Sequence, residues 1–248
     1  MLFRLAVLLI FLASVPVQAY TLAAEDDYYP YSAQVDGELV GMVPDLARAA
    51  FAAVGVEVDF IIRPYSRVLM MVERGQALGG FAGSIDDSNR SAFFWHETPL
   101  DIVRLVIWAR KGESETGLSA KDMEGQKVSI TRGFFYTDAI DQNESVKKIE
   151  APSDASSMQM LAIGRSNYAL VTELIGHEIV QSSSAPVLDG RLEIVGLIEE
   201  VPLHAFFSRT HPDGEEAATL FQQGLEIIFQ NGEYQRIHER WLPTADAG

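Results

Sequence analysis

The period of the apolar positions changes along this chain, and each change marks an element. Thr21-Leu22-Ala23-Ala24 is a short apolar run that stops at three acids, Glu25-Asp26-Asp27. Leu46, Ala49, Ala50 and Val54 recur at helical spacing after Pro44, which suits a first turn, and predict a helix over 44–54 stopped by Gly55. Val56-Glu57-Val58-Asp59-Phe60 alternates as a strand does. Pro64-Tyr65-Ser66 then opens a short helix carrying Val68, Leu69 and Val72 and ended by Gly75, and a small-residue strand follows over 77–82. Strands alternating with helices at this spacing predict a parallel sheet covered by helices.

A second series follows a long apolar strand, Ile102 to Ala109, and a shift to polar residues at Arg110-Lys111-Gly112. It comprises a capped turn over Leu118–Gly125, strands at Lys127–Ile130 and Tyr168–Val171, and helices over Ser156–Ile163 and about Leu174–Gln181. The series fades near Gly196. A strand at Leu203–Ser208, a helix over Glu215–Gln230 and a last helix through Trp241 close the chain.

The first nineteen residues read as a leader rather than as part of the fold. Arg4 precedes an apolar run from Leu5 to Ala13, then Pro16, then Val17-Gln18-Ala19 with small residues where a signal peptidase reads, so cleavage is expected after Ala19. The run is shorter than the ~20 apolar residues that a bilayer span needs, and no later stretch is long enough. The formal charge is −16, and the leader carries a base and no acid, so the mature chain is more acidic still. Such a surface repels nucleic acid and anionic lipid. The chain contains no cysteine, which excludes disulfides, thiolate metal sites and cysteine nucleophiles. The five histidines lack metal-ligand spacing, and there is no phosphate loop, nucleophile elbow or dinucleotide fingerprint; no cofactor is expected.

Chemistry concentrates in loops at predicted strand ends. Glu25-Asp26-Asp27-Tyr28-Tyr29-Pro30-Tyr31-Ser32 joins three acids to three tyrosines around a proline, a stiff loop suited to one wall of a pocket for a small polar or cationic ligand; an acidic turn with packed tyrosines is the alternative. Val35-Asp36-Gly37-Glu38 after it reads as a hairpin turn. Gly83-Ser84-Ile85-Asp86-Asp87-Ser88-Asn89-Arg90 follows the small-residue strand, at the sheet edge where ligands bind in open α/β sheets. Arg90 either pairs locally with Asp86 or Asp87 or grips a ligand carboxylate. Thr131-Arg132-Gly133-Phe134-Phe135-Tyr136 reads as a strand-to-helix turn able to receive an anion on free N–H groups. Thr172-Glu173 stands at another strand's carboxyl end.

The assembled order resembles the extracellular solute-binding proteins of family 3, the polar-amino-acid type served by ABC importers. The resemblance rests on Tyr28-Tyr29-Pro30-Tyr31-Ser32, Gly41-Met42-Val43-Pro44-Asp45-Leu46-Ala47, Pro64-Tyr65-Ser66-Arg67, Leu118 to Val128, Gly164-Arg165 and the run from Gly232 to Leu242. It implies an α/β, two-lobed periplasmic binding protein fold of type II, with two crossover strands near Leu105–Arg110 and Gly196–His204. Residues 20–108 and 200–248 would form the first lobe and 109–199 the second. By the same resemblance Tyr28 and Tyr65 would stack on the ligand, Arg90 would grip its α-carboxylate, Ser84 would contribute a hydroxyl, and Glu25 would meet its distal end. Two departures stand out: the family's Gly-Thr-Thr is replaced by Gly133-Phe134-Phe135, and its amino-binding acid falls at Thr172, beside Glu173. Extra aromatics imply a flatter, larger or less polar ligand than an ordinary amino acid.

The expectation is therefore a monomeric periplasmic protein that captures an amino acid, amino acid derivative or small carboxylate between its lobes and presents it to an inner-membrane ABC permease. One rival is a dehydratase on the same fold, with Glu173 or Glu25 as general acid. Another is a sensor that shows its closed form to a membrane receptor.

Overall fold

The computed structural model describes residues 19–242 except Ser88, 183–187 and Asp189. Of the expected leader only Ala19 falls inside the described residues, and no described helix is long and apolar enough to cross a membrane.

Strand β1 (Ala19–Glu25) pairs in parallel with β5 (Glu57–Arg63), and α1 (Met42–Ala53) covers them. Between β1 and α1 the chain makes a small antiparallel sheet of β2 (Asp27–Tyr28), β3 (Ser32–Val35) and β4 (Glu38–Val40). Asp36 and Gly37, both at positive φ, form the expected two-residue turn between β3 and β4. The tyrosine loop is clamped from below. Met42 and Val43, at the open amino end of α1, donate their N–H groups to the carbonyls of Pro30 and Tyr31 at 2.9 Å each. Gly41 makes this approach possible: its φ is +136°, and a β-carbon there would meet Tyr31 O at 2.4 Å.

Helix α2 (Tyr65–Glu73), β6 (Gly79–Gly83) and β7 (Phe93–Trp95) complete this part with the carboxyl-terminal helices α6 (Gly214–Gln230) and α7 (Glu233–Trp241). Phe51 of α1 and Phe221 of α6, both fully buried, meet at 5.4 Å between ring centres. The second lobe holds β9 (Lys127–Thr131), β10 (Lys147–Ala151), β11 (Tyr168–Thr172), α3 (Asp138–Asp141), α4 (Asp154–Ala162) and α5 (Glu173–Gln181).

Two long strands run through both lobes. β8 (Asp101–Arg110) and β12 (Leu192–Ser208) pair antiparallel from Leu203↔Asp101 to Leu192↔Arg110. β8 also pairs with β11 in the second lobe, whereas the far end of β12 pairs with β6 and β7 in the first. The expected strand at Leu203–Ser208 is thus the end of one seventeen-residue strand. The result is the type II architecture of two α/β lobes on a shared ribbon.

One expected element differs. The segment Thr131–Tyr136 is no strand-to-helix turn, because helix α3 begins only at Asp138 and has four residues. Tyr136 explains the detour. Its side chain is 2% exposed, its hydroxyl accepts the Thr131 N–H at 2.7 Å, and its own N–H donates to Asp141 Oδ2 at 2.7 Å. A buried phenol thus takes the N–H at the end of β9, and a carboxylate within the same segment takes that of Tyr136. Phe134 and Phe135 are carried out on the resulting loop.

Candidate functional site

The lobes meet over a narrow cavity of about 50 Å³. The first lobe contributes Glu25 from the end of β1, Tyr28 from the clamped loop, Tyr65 from the first turn of α2, and Ala82 and Ser84 from the end of β6. The second contributes Phe134, Phe135, Tyr136, Asp154, Val171 and Thr172. The crossover ribbon supplies an apolar floor of Val103, Leu105, Val201 and Leu203. Ala82 has φ +60°, a left-handed backbone that bends the chain at the cavity wall. An outer vestibule of about 520 Å³ adjoins the cavity and adds Asp26, Asp27, Thr131 and Arg132. Glu25, Tyr65, Phe134 and Asp154 line both spaces and so form the neck between them.

Seven of the ten expected site residues, Glu25, Tyr28, Tyr65, Ser84, Phe134, Phe135 and Thr172, lie on this one cavity. Tyr28 and Tyr65 do not face each other across an open slot. The ring of Phe134 stands edge-on to both, at 4.9 Å from Tyr65 and 5.8 Å from Tyr28. Tyr28 Oη lies 3.5 Å from Thr172 Oγ1 across the lobes, and its ring stacks on Tyr31 at 5.4 Å. Gly133 is beside the cavity rather than on it: at φ +84°, a β-carbon on it would meet Ser66 Cβ at 3.1 Å, so glycine permits the close approach of the two lobes.

Arg90 and Glu173 are elsewhere. Arg90 is exposed and does not line the cavity. Its loop is folded on itself by Asn89, whose amide donates to Ser84 O at 2.8 Å and whose N–H meets Asp86 Oδ1 at 3.1 Å; the Arg90 N–H donates to Asp86 O at 2.9 Å. That turn leaves the guanidinium on the outside. The local ion pair weighed for Arg90 is not formed either among the described residues. Glu173 points away because Arg104 of β8 holds its carboxylate at 2.5 Å, in a shallow depression with Tyr31, Leu174 and His177.

The structure adds Asp154. Helix α4 starts two residues before the predicted Ser156, capped by Ser153, whose Oγ accepts the Ser156 N–H at 3.3 Å. The earlier start turns Asp154 into the neck, where Thr131 Oγ1 donates to its carboxylate. Pro152-Ser153-Asp154 was the available signal, a serine cap followed by a first-turn acid. Asp154 is 4% exposed, and burial pushes its pKa up to about 7, opposed by the Thr131 hydrogen bond and helped by the nearby Asp27. Glu25, 8% exposed, is raised well above the usual carboxylate range, first by burial and then by Asp154, Asp26 and Asp27. The Glu25 carboxylate has no hydrogen bond or ion pair among the described residues. One carboxyl from each lobe therefore stands at the neck, with rings around them and, among the described residues, no basic side chain on the cavity wall.

The model of the bacterial extracellular solute-binding proteins, family 3, matches residues 20–244. This chain belongs to that family. Among its relatives, the arginine-binding protein ArgT of Corynebacterium glutamicum is 22% identical over 83% of this chain and 68% of its own length. The L-cystine-binding protein TcyJ of Escherichia coli K12 is 25% identical over 64% of this chain, a match that spans only 61% of TcyJ. The crystal structure of a histidine kinase sensor domain with similarity to periplasmic binding proteins superposes with a TM-score of 0.81, at 22% identity, over 92% of this chain and 97% of that one; this likeness shows the fold. ArgT and TcyJ are both named as binding proteins. Of the two acids weighed for the dehydratase rival, Glu173 is turned out of the cavity by Arg104, whereas Glu25 lies on its wall.

Proposed function

We propose that this family 3 protein captures a small solute of amino-acid size between its lobes, outside the cytoplasm, and presents the closed form to an inner-membrane importer. The observation that carries the reading is the composition of the cavity wall: side chains of both lobes and of the crossover ribbon surround one space. A solute seated there touches both halves, so its binding energy favours the closed form over the open one. The leader at residues 1–19 and the acidic, cysteine-free surface support secretion to a periplasm. Glu25, Tyr28, Tyr65, Ser84, Phe134, Phe135, Thr172 and Asp154 form the binding set. The named ligands of ArgT and TcyJ, arginine and cystine, differ in charge and shape and place amino acids and their derivatives in the first panel to test.

A thermal-shift screen with that panel, followed by calorimetry, tests the proposal. A true ligand binds only the native state and raises the melting temperature as its concentration rises. A panel of amino acids, amines and small carboxylates that leaves the melting temperature unchanged throughout overturns it.

A further inference from the structure

The inner cavity is apolar on its floor and acidic at its neck. Val103, Leu105, Val201 and Leu203 line the depth, Glu25 and Asp154 stand at the entrance, and among the described residues no lysine, arginine or histidine is on the wall. Arg132, the base of the vestibule among the described residues, is paired with Glu150 at 3.0 Å. Arg90, the cation that would neutralise a ligand carboxylate, is on the outer surface. A carboxylate entering this space would approach two buried carboxyl groups and find no counter-charge, which is costly at low dielectric. A cation would find the reverse. The Glu25 carboxylate is more than nine-tenths buried, faces the cavity and is unpartnered among the described residues. The rings of Tyr65 and Phe134 at the neck add faces that attract a cation.

We propose that the natural ligand is an organic cation without a carboxylate, an amine, guanidine or amidine on an apolar body, whose charged end sits between Glu25 and Asp154 and whose body is admitted over the crossover strands as the lobes part. The proposal rests on the binding-protein reading and narrows it. Glu25 from the first lobe and Asp154 from the second each contact the same charged end, so the cation ties the lobes together. A cation lying between them favours the ionised form of both carboxyl groups.

Calorimetry with matched pairs tests it: phenethylamine against phenylalanine, tyramine against tyrosine, and agmatine against arginine. Each pair differs by one carboxylate. At least one amine is expected to bind at one per chain and at least tenfold tighter than its parent amino acid. Glu25→Gln and Asp154→Asn each weaken that amine at least tenfold, whereas Arg90→Ala changes it less than twofold. Melting curves without ligand establish that each variant is folded, and either acid variant suffices if the other is not. An amino acid that binds more tightly than its amine, or an Arg90→Ala change that abolishes binding, overturns the proposal and leaves the solute-binding reading standing. Absence of binding by all three amines also overturns it. Only the further absence of any amino acid or carboxylate ligand overturns both.

Discussion

On the first-lobe wall of the cleft, Tyr28 and Tyr65 stand on elements that local rules build; on the second-lobe wall, Phe134 and Asp154 stand where tertiary packing puts them. Tyr28 belongs to a proline turn held by the amino end of α1 through a glycine that admits the contact. Tyr65 is the first residue of α2, directly after Pro64. Phe134 rides on a loop held by the buried hydroxyl of Tyr136, and Asp154 faces the neck because α4 starts there, capped by Ser153. One wall is rigid by chain geometry. The other is set by a few side-chain bonds.

If this comparison holds, the largest effect comes from breaking the local clamp. Gly41→Ala combines a φ of +136° with a β-carbon 2.4 Å from Tyr31 O. It is expected to cost about 3 kcal/mol of unfolding free energy or more, read by urea titration, and to abolish ligand binding. A loss under about 1 kcal/mol would show that the tyrosine loop is not held by α1.

Next comes the carboxyl pair. The folded state holds the Asp154 proton up to about 7, whereas an unfolded aspartate releases it near ~3.9. Between those values the native state binds more protons than the unfolded one, so this group's contribution to stability is present at low pH and is lost as pH rises toward 7. The loss is roughly 2–4 kcal/mol. Glu25, Asp26, Asp27 and the phenols of Tyr28, Tyr65 and Tyr136 face the same neck. His96, lowered to about 3 by burial and by His204, adds an opposite slope below ~6.5 in every variant. The test is therefore the difference between the native chain and Asp154→Asn. The variant should gain relative stability as pH rises from ~4 to ~7. Parallel curves would remove the buried acid from the account. By the same linkage, a cation should bind more tightly as pH rises through about 7, with release of protons.

Phe134→Ala sharpens the comparison at smaller cost. It removes two edge contacts between lobes, each worth ~0.5–1.5 kcal/mol beyond area burial. Stability should fall by about 1–2 kcal/mol. Small-angle scattering should show a larger radius of gyration, because rings from both lobes no longer touch. An unchanged radius would mean that the ribbon alone sets the closure.

The smallest effect is at the outside of the second wall. Arg104→Ala releases Glu173 from a partly exposed ion pair, and the melting temperature should move by the equivalent of ~0.5 kcal/mol or less. Ligand affinity should not change, since neither residue lines the inner cavity. A tenfold change would bring Glu173 back into the site.

Much of the fold was legible because its signals are local. The 3.6-residue period over 44–54, the alternation over 56–60, the Asp36-Gly37 turn and the serine-capped turn near Ser119 depend on a few neighbouring residues, and each element stands within a few positions of where its pattern lies. The tyrosine loop was legible for the same reason. Arg90 was not: whether its guanidinium faces in or out depends on how Asn89 folds the loop onto Ser84 and Asp86, and composition alone is the same either way. Glu173 was misjudged through Arg104, a partner 69 residues away in the chain.

Sequence by itself determined the alternation of strands and helices, the acidic and cysteine-free character and the placing of aromatics at strand ends, because these follow from neighbouring residues and from composition. Only the tertiary structure decided which charges meet. It brought Glu25 and Asp154 to one neck and left Arg90 outside. The physical reason is that burial and pairing of a charge depend on side chains far apart in the chain, and no local pattern records that encounter.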